Sequence, residues 1–352
     1  MRIAQIAPLT EAVPPKLYGG TERIVSYLTE ELVEMGHEVT LFASGDSVTK
    51  ARLAPGCRKA LRLDPSVRDP NAPLTLMLEQ VYRRRHEFDL LHFHLDYLPF
   101  PLFSRQSVPF VTTLHGRLDL PELQPVFDTF NEVPVVSISD NQRLPLPQAN
   151  FARTIYHGLP ERLLAPRPGV APSYLAFLGR IAPEKRCDRA IEIAIATNTP
   201  LKIAAKVDRV DVDYFETKIK PMLAHPLIEF IGEIDETQKP DFLSGAIGLL
   251  TPIDWPEPFG LVMIEAMACG TPVIAFRHGS VPEVIDEGVT GFAVDSMAEA
   301  IAAVGRLKTL PRAAVRARFE QRYTARRMAQ DYVALYEELA RRGTSSLLAA
   351  AE

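Results

Sequence analysis

The sequence predicts an α/β protein of two doubly wound domains in series, and three observations carry that prediction. Short β-branched runs alternate with longer helical patterns from end to end, which is how parallel strands joined by right-handed helical crossovers read. The chain, at 352 residues, is long for one compact core and comfortable for two. The alternation breaks once, in the proline-rich stretch LPERLLAPRPGVAPS at 159–173, whose backbone suits neither helix nor sheet interior, and then restarts. The expected division is 1–165 for the first domain, 166–330 for the second, and 331–352 for a closing helix that crosses back to the first.

In the first half, strands are expected at RIAQIAP, HEVTLFA, DLLHFHL, PFVTTLHG, VPVVSIS and FARTIYHG. Between the first two lies TERIVSYLTEELVEMG, whose Ile24, Val25, Leu28, Leu32 and Met35 recur at helical spacing. Thr21 is its expected cap and Gly36 its terminator. In the second half, strands are expected at YLAFLG, LKIAAK, LIEFIG, AIGLLT, PVIAF and GFAV, with helices at CDRAIEIAIATN and KPDFLSG between them. The segment ARRMAQDYVALYEELARR reads as a last helix and GTSSLLAAAE as a frayed tail. Sheets of this kind bind ligands at the carboxyl ends of their strands. The site is therefore expected where two such domains face each other across a cleft.

Composition narrows the chemistry. Charged residues at 24% and hydrophobic ones at 47% are ordinary for a globular protein, and a net charge of -5 argues against a dedicated nucleic-acid partner. Cys57, Cys187 and Cys269 are odd in number and widely spaced, so neither a disulfide framework nor a zinc site is indicated. The start, MRIAQIAPLT, lacks the basic opening and long apolar core of a signal peptide. No apolar run reaches the roughly 18 to 20 residues that cross a bilayer. The expected location is the cytoplasm, with any membrane association peripheral, at the surface.

Five segments bear on function. In IDWPEPFGLVMIEAMACGTPVIAF, Pro256 and Pro258 precede a helix expected to begin near Phe259 or Gly260. A helix start offers free N–H groups and partial positive charge, and glycine permits close approach by an anion. Glu257 and Glu265 would then reach two points on one ligand, since ionised carboxylates accept from vicinal hydroxyls; the bland alternative has Glu257 favouring the dipole and Glu265 facing solvent. In FLGRIAPEKRCDRAI a strand is expected to end at Gly179, leaving Arg180 and Lys185 at its carboxyl edge, where two cations would neutralise a diphosphate. A solvated loop is the alternative there. In LYGGTERIV, Gly19 and Gly20 form a loop before the first helix, a phosphate cradle or a plain turn; the glycine spacing is not that of a dinucleotide fingerprint. In TTLHGRLD, a strand ends at His115, placing an imidazole at the mouth of the first domain, where it would hydrogen-bond a substrate hydroxyl; a structural histidine is the alternative.

The fifth, LHFHLD, sets His92 and His94 two apart on a strand. Spacing places no third ligand, so a satisfied polar edge is expected and a metal is not. Likewise Asp211 and Asp213 in DVDYF are read as capping the helix YFETKIKPML.

These segments together resemble the retaining glycosyltransferases of family 4, the glycosyl transferases group 1, with the GT-B fold of two Rossmann-like domains. The resemblance spans nearly the whole chain and is most specific in EPFGLVMIE, which matches the family's E-x7-E motif, continued by EAMACGTPVIAFRHGSVPEVIDEGVTGF. GGTER, TLHG and FLGRIAPEK support it in order. It implies that Arg180 and Lys185 grip the donor diphosphate, that Glu265 binds the ribose hydroxyls, and that Glu257 with the amides of Phe259, Gly260 and Leu261 holds the donor sugar. It further implies that His115 contacts that sugar and stabilises its transition state, and that Gly19 and Gly20 approach the phosphates. His115 and Glu257 are the catalytic candidates, with Glu257 orienting and electrostatic rather than nucleophilic. Family enzymes need no metal and no cofactor, the nucleotide sugar being a substrate. After LKIAA, where the family often has a glycine-rich turn, KVDRVDVD follows and sets Lys206 and Asp208 near the nucleotide pocket.

The expected activity is transfer of a hexose-type sugar from a nucleotide-diphosphate donor, UDP being the expected carrier, to the hydroxyl of a saccharide, lipid-linked saccharide or small molecule. A nucleotide-sugar epimerase is the runner-up within enzymes, and a non-catalytic sugar-nucleotide-binding subunit the alternative outside them. Acceptor contacts are sought in the loops TEAVPPKLYGG, SGDSVTKARL and GRLDLPELQP, with Arg23, Arg117 and Asp119 as candidates. The cluster YRRRHEF suits either an anionic lipid surface or an ordinary solvated helix end.

Overall fold

A computed structural model describes residues 1–16 and 19–349, with side chains through 341. Leu17 and Tyr18, in the loop that leads to the glycine pair, lie outside the described residues, as do 350–352 of the expected frayed tail. The chain forms two compact units, Met1–Gly158 together with the residues from Ala325 on, and Leu159–Thr324. Their boundaries thus fall earlier than the 165/166 and 330/331 expected from composition.

The first unit carries a parallel sheet of seven strands: β1 (Arg2–Ile6), β2 (Glu38–Ser44), β3 (Arg52–Cys57), β4 (Leu90–Phe93), β5 (Phe110–Thr113), β6 (Val135–Ser137) and β7 (Phe151–Thr154), in spatial order β3-β2-β1-β4-β5-β6-β7. Five of these fall within expected segments and β2 runs one residue past its own, to Ser44; β3, with sequence RLAPGC, matches none. Pro55 and Gly56 argue against a strand, but β3 is an edge strand paired with β2 alone, where a missing N–H costs no ladder bond. The second unit holds six parallel strands: β8 (Tyr174–Ile181), β9 (Leu201–Val207), β10 (Ile228–Gly232), β11 (Ala246–Thr251), β12 (Val273–Phe276) and β13 (Gly291–Val294), in order β10-β9-β8-β11-β12-β13. In both sheets the winding reverses beside the first strand, between β1 and β4 and between β8 and β11. Such a reversal opens a crevice at the strand carboxyl ends.

Alternate faces of each sheet are covered by helices, so the strands read as continuous apolar runs. Phe42, Leu91, Phe93, Phe100, Phe103 and Phe127 pack together in the first unit, and Leu175, Phe177, Ile203, Leu250 and Ile274 in the second. The first helix is Gly20–Glu34 and buries Ile24, Val25, Leu28 and Leu32. Its cap is Gly19, with no side-chain capping bond, which corrects the expectation for Thr21. At its far end Gly36 stands at φ +85 and His37 N–H reaches back to Leu32 O at 3.1 Å, closing the last turn in the manner glycine permits.

The last helix runs Ala325–Ala349, starting where the expected segment does and continuing past its end, so the backbone of the tail 343–349 is helical. It belongs to the first unit and buries Met328, Tyr332, Leu335 and Tyr336. The expected linker opens at Leu159, which donates its N–H to Tyr323 O at 2.9 Å and forms a bridge with Thr324. The second unit's two ends are thereby zipped to one another.

Candidate active site

In the second unit the groups gather at the crevice between β8 and β11. β8 continues to Ile181, so Arg180 is a strand residue and not the loop residue expected after Gly179. Its guanidinium donates to Glu184 Oε1 at 2.5 Å and lies 3.2 Å from Asp211 and 3.8 Å from Asp208. Arg180 is aligned with Lys206 across the β8–β9 pairing, and Lys206 in turn holds Asp208 at 2.8 Å. Asp211 makes no capping bond; its buried carboxylate serves Arg180, which corrects the capping role expected of it.

Four residues beyond the strand, the turn Pro183–Lys185 delivers Lys185. Its ammonium pairs with the Glu257 carboxylate and stands 4.7 Å above the Trp255 ring, while Trp255 Nε1–H donates to Glu257 Oε2 at 3.0 Å. The next residue, Arg186, sits in the left-handed region at φ 52 and binds Asp188 at 3.0 Å and Asp254 at 2.9 Å. These charge-assisted bonds push the Arg186 guanidinium pKa up, the Asp188 bond first. Asp254 N–H also donates to Glu184 O at 2.8 Å. The turn after β8 and the loop after β11 are thus stitched by backbone and side chain together.

The motif helix is Leu261–Ala268, one residue later than the expected start, with Gly260 at φ +80 as its cap. A Cβ on Gly260 would stand 2.6 Å from Met263 Cε and 3.3 Å from Glu257 Cγ. Behind the loop, Gly279 at φ +57 approaches so closely that a Cβ there would lie 2.3 Å from Glu257 N and O. Ser280 completes the brace: its N–H donates to Glu257 O at 2.9 Å and its Oγ to Phe259 O at 2.8 Å. Phe259 itself is buried.

Glu265 is 2% exposed, so the alternative in which it faces solvent fails. Its carboxylate binds Lys239 Nζ at 2.7 Å, and Lys239, 6% exposed, also reaches Glu236 at 2.9 Å. Lys239 escapes sequence reading, yet a signal exists. It is the first residue of the helix Lys239–Ser244, where the helix dipole disfavours a cation. Gly279 and Trp255 escape it too, the first in HGS and the second in IDWPE, because what they support lies in a different segment or in a side-chain contact.

In the first unit, β4 and β5 end in a buried polar chain. His115 Nε2 meets His94 Nδ1 at 2.9 Å, His94 Nε2 meets Gln5 Oε1 at 2.9 Å, and Gln5 Nε2 donates to Tyr336 OH at 3.1 Å. His92 Nδ1 lies 2.6 Å from Tyr336 OH and its Nε2 2.7 Å from Thr113 Oγ1, which meets Tyr332 OH at 2.8 Å. Since Gln5 Oε1 only accepts, His94 carries its proton on Nε2 and accepts at Nδ1 from the Nε2–H of His115. The His115 ring stacks on His157 with centroids 5.3 Å apart, and its Nδ1 has no partner among the described residues. Burial drives the His115 pKa down to about 3, and holds those of His92, His94 and His157 well below the ordinary value. All four imidazoles are neutral.

His92 and His94 are hydrogen-bonded at both ring nitrogens, as a satisfied polar edge would be. Gly19 and Gly20, expected as a loop, are the cap and first residue of the first helix, and a Cβ at Gly19 would touch Pro15 at 2.8 Å. Of the acceptor candidates, Arg117 and Asp119 form an exposed bidentate pair with both bonds at 2.7 Å, and Arg23 donates its backbone N–H to Gly19 O. In YRRRHEF, Arg83 pairs with Glu79, Arg84 with Glu87, and Arg85 lies over Tyr82. No helix among the described residues is long and apolar enough to cross a membrane.

The family model described as Glycosyltransferase Family 4 matches residues 18–185, and that described as Glycosyl transferases group 1 matches 168–322. A D-inositol 3-phosphate glycosyltransferase of Thermobispora bispora is 30% identical over 293 residues, 68% of each chain. An N-acetyl-alpha-D-glucosaminyl L-malate synthase of Bacillus anthracis is 25% identical over 310 residues, covering 78% of this chain and 80% of that one. Among solved structures, the Anabaena protein HepE in complex with UDP and glucose superposes with a TM-score of 0.73 at 19% identity, over 96% of this chain and all of the other. With two sheets wound alike and both family models spanning them in turn, the chain belongs to the family 4 glycosyltransferases, group 1, of the GT-B fold.

Proposed function

We propose that the protein transfers a hexose-type sugar from a nucleotide-diphosphate donor, with UDP as carrier, to an acceptor hydroxyl, with retention of anomeric configuration and without a metal ion. The observation that carries this reading is the set Arg180, Lys185 and Glu257 at one sheet's winding reversal, beside a helix start capped by a positive-φ glycine. Arg180 and Lys185 neutralise the diphosphate that departs, and the Phe259, Gly260 and Leu261 amides add a helix-end dipole. Glu265 accepts from the ribose hydroxyls and Glu257 from the sugar. His115 presents a fixed neutral imidazole to the sugar, and Gly19 and Gly20 let the first helix approach the phosphates.

Retention through same-face attack places most of the barrier in separating sugar from diphosphate. Fixed cations act on that charge, and a phosphate oxygen then takes the acceptor's proton. HepE was solved with UDP and glucose, which supports UDP here. The two relatives' names join sugars to hydroxylated small molecules, inositol 3-phosphate and malate. Such acceptors lead the screen, ahead of saccharides and lipid-linked saccharides.

Thermal-shift screening of nucleotide sugars, followed by mass detection of products from candidate acceptors, tests the proposal. Conversion of the sugar nucleotide without acceptor would favour epimerisation instead. Lys185→Ala is expected to lower turnover at least ~100-fold, the scale of losing one fixed donor at a developing anion. Glu265→Ala is expected to weaken donor binding roughly tenfold. Ordinary turnover by the Lys185 variant would sink the reading.

A further inference from the structure

We propose that Trp255 is a positioning residue that keeps Glu257 aimed at the donor sugar while the Lys185 ammonium moves from that carboxylate to the donor diphosphate. The proposal rests on the donor reading given above. In the structure the two groups assigned to the donor occupy each other: Lys185 is paired with Glu257. A diphosphate can recruit Lys185 only if this pair loosens, and the carboxylate is then left without its strongest partner.

One ring touches both. Its indole Nε1–H donates to Glu257 Oε2 at 3.0 Å, and its face lies 4.7 Å from Lys185 Nζ. The N–H bond survives departure of the ammonium, and the π face offers the ammonium a short path along which it stays partly compensated. The backbone of Glu257 is already immobilised by the Gly279 approach and the Ser280 N–H bond. Only the side chain needs holding, and the partners recorded for it are Lys185 and Trp255.

Phenylalanine separates the two roles, since it keeps a π face and removes the N–H. Wild type and Trp255→Phe are titrated by calorimetry with UDP, GDP and ADP, and with the matching glucose derivatives. Trp255→Phe is expected to bind the preferred nucleoside diphosphate as wild type does. It should lose about tenfold of affinity for the nucleotide sugar, the weight of a hydrogen bond to a charged group. Trp255→Leu, which lacks both features, should weaken the bare diphosphate as well. A merely structural role would depress both ligands together in the phenylalanine variant, and that result overturns the proposal, as does an unchanged sugar-nucleotide affinity. If wild type binds none of the nucleotides, the donor reading itself falls and this one with it.

Discussion

Three buried imidazoles and one half-buried one, His115, make the side chains of the first unit a pH-sensitive load. His115, with a pKa near 3, and His92, His94 and His157, held well below the ordinary range by burial, stay neutral in the folded protein. In the unfolded chain each titrates near 6.5. Between those limits the unfolded state binds more protons, so stability is full above about pH 6.5 and falls as pH drops. The slope approaches roughly 1.4 kcal/mol per pH unit for each histidine so held. Urea unfolding at pH 7.5, 6.0 and 5.0 should show that decline, and a flat profile over this window would contradict the buried neutral chain. The sequence singled out His115, Arg180, Lys185 and Glu257 because each stands near a recognisable strand end or helix start, and Glu265 because of its spacing from Glu257. Their partners were not legible: Lys239 meets Glu265, and Asp211 meets Arg180, only because particular crossovers bring segments distant in sequence together.

At the scale of elements, what remained hidden has local causes. β3 carries a proline that only an edge position tolerates, and edge position is a property of the sheet, not of six residues. β8 runs past a glycine that looked like its end. The loop after β11 is held from behind by the one after β12, through Gly279. Gly279→Ala adds a carbon where backbone atoms of Glu257 stand 2.3 Å away and places alanine at φ +57. This variant is expected to lose about 2 kcal/mol or more of stability to urea. Its donor affinity should fall as well, because the displaced loop carries Glu257 with it. A variant that matches wild type in both measurements would mean that the loop is not braced there.

For the whole molecule, the division of the chain matters more than the number of layers. The second unit is one continuous segment whose ends are joined at Leu159 and Thr324, whereas the first is completed only by the closing helix. Residues 159–324 expressed alone should therefore unfold in a single cooperative transition, read through the chain's one tryptophan, Trp255. Residues 1–158 alone lack Met328, Tyr332, Leu335 and Tyr336, and leave His92 and Gln5 without the phenol they share. That fragment should fail to give a cooperative transition until a peptide of 325–349 is added. Two fragments that fold equally well would refute the asymmetry. During synthesis from the amino end, β1 to β7 leave the ribosome with one wall missing and wait for it through the whole of the second unit's translation. A stop codon at Ala325 would release a product whose later half is finished and whose earlier half is not.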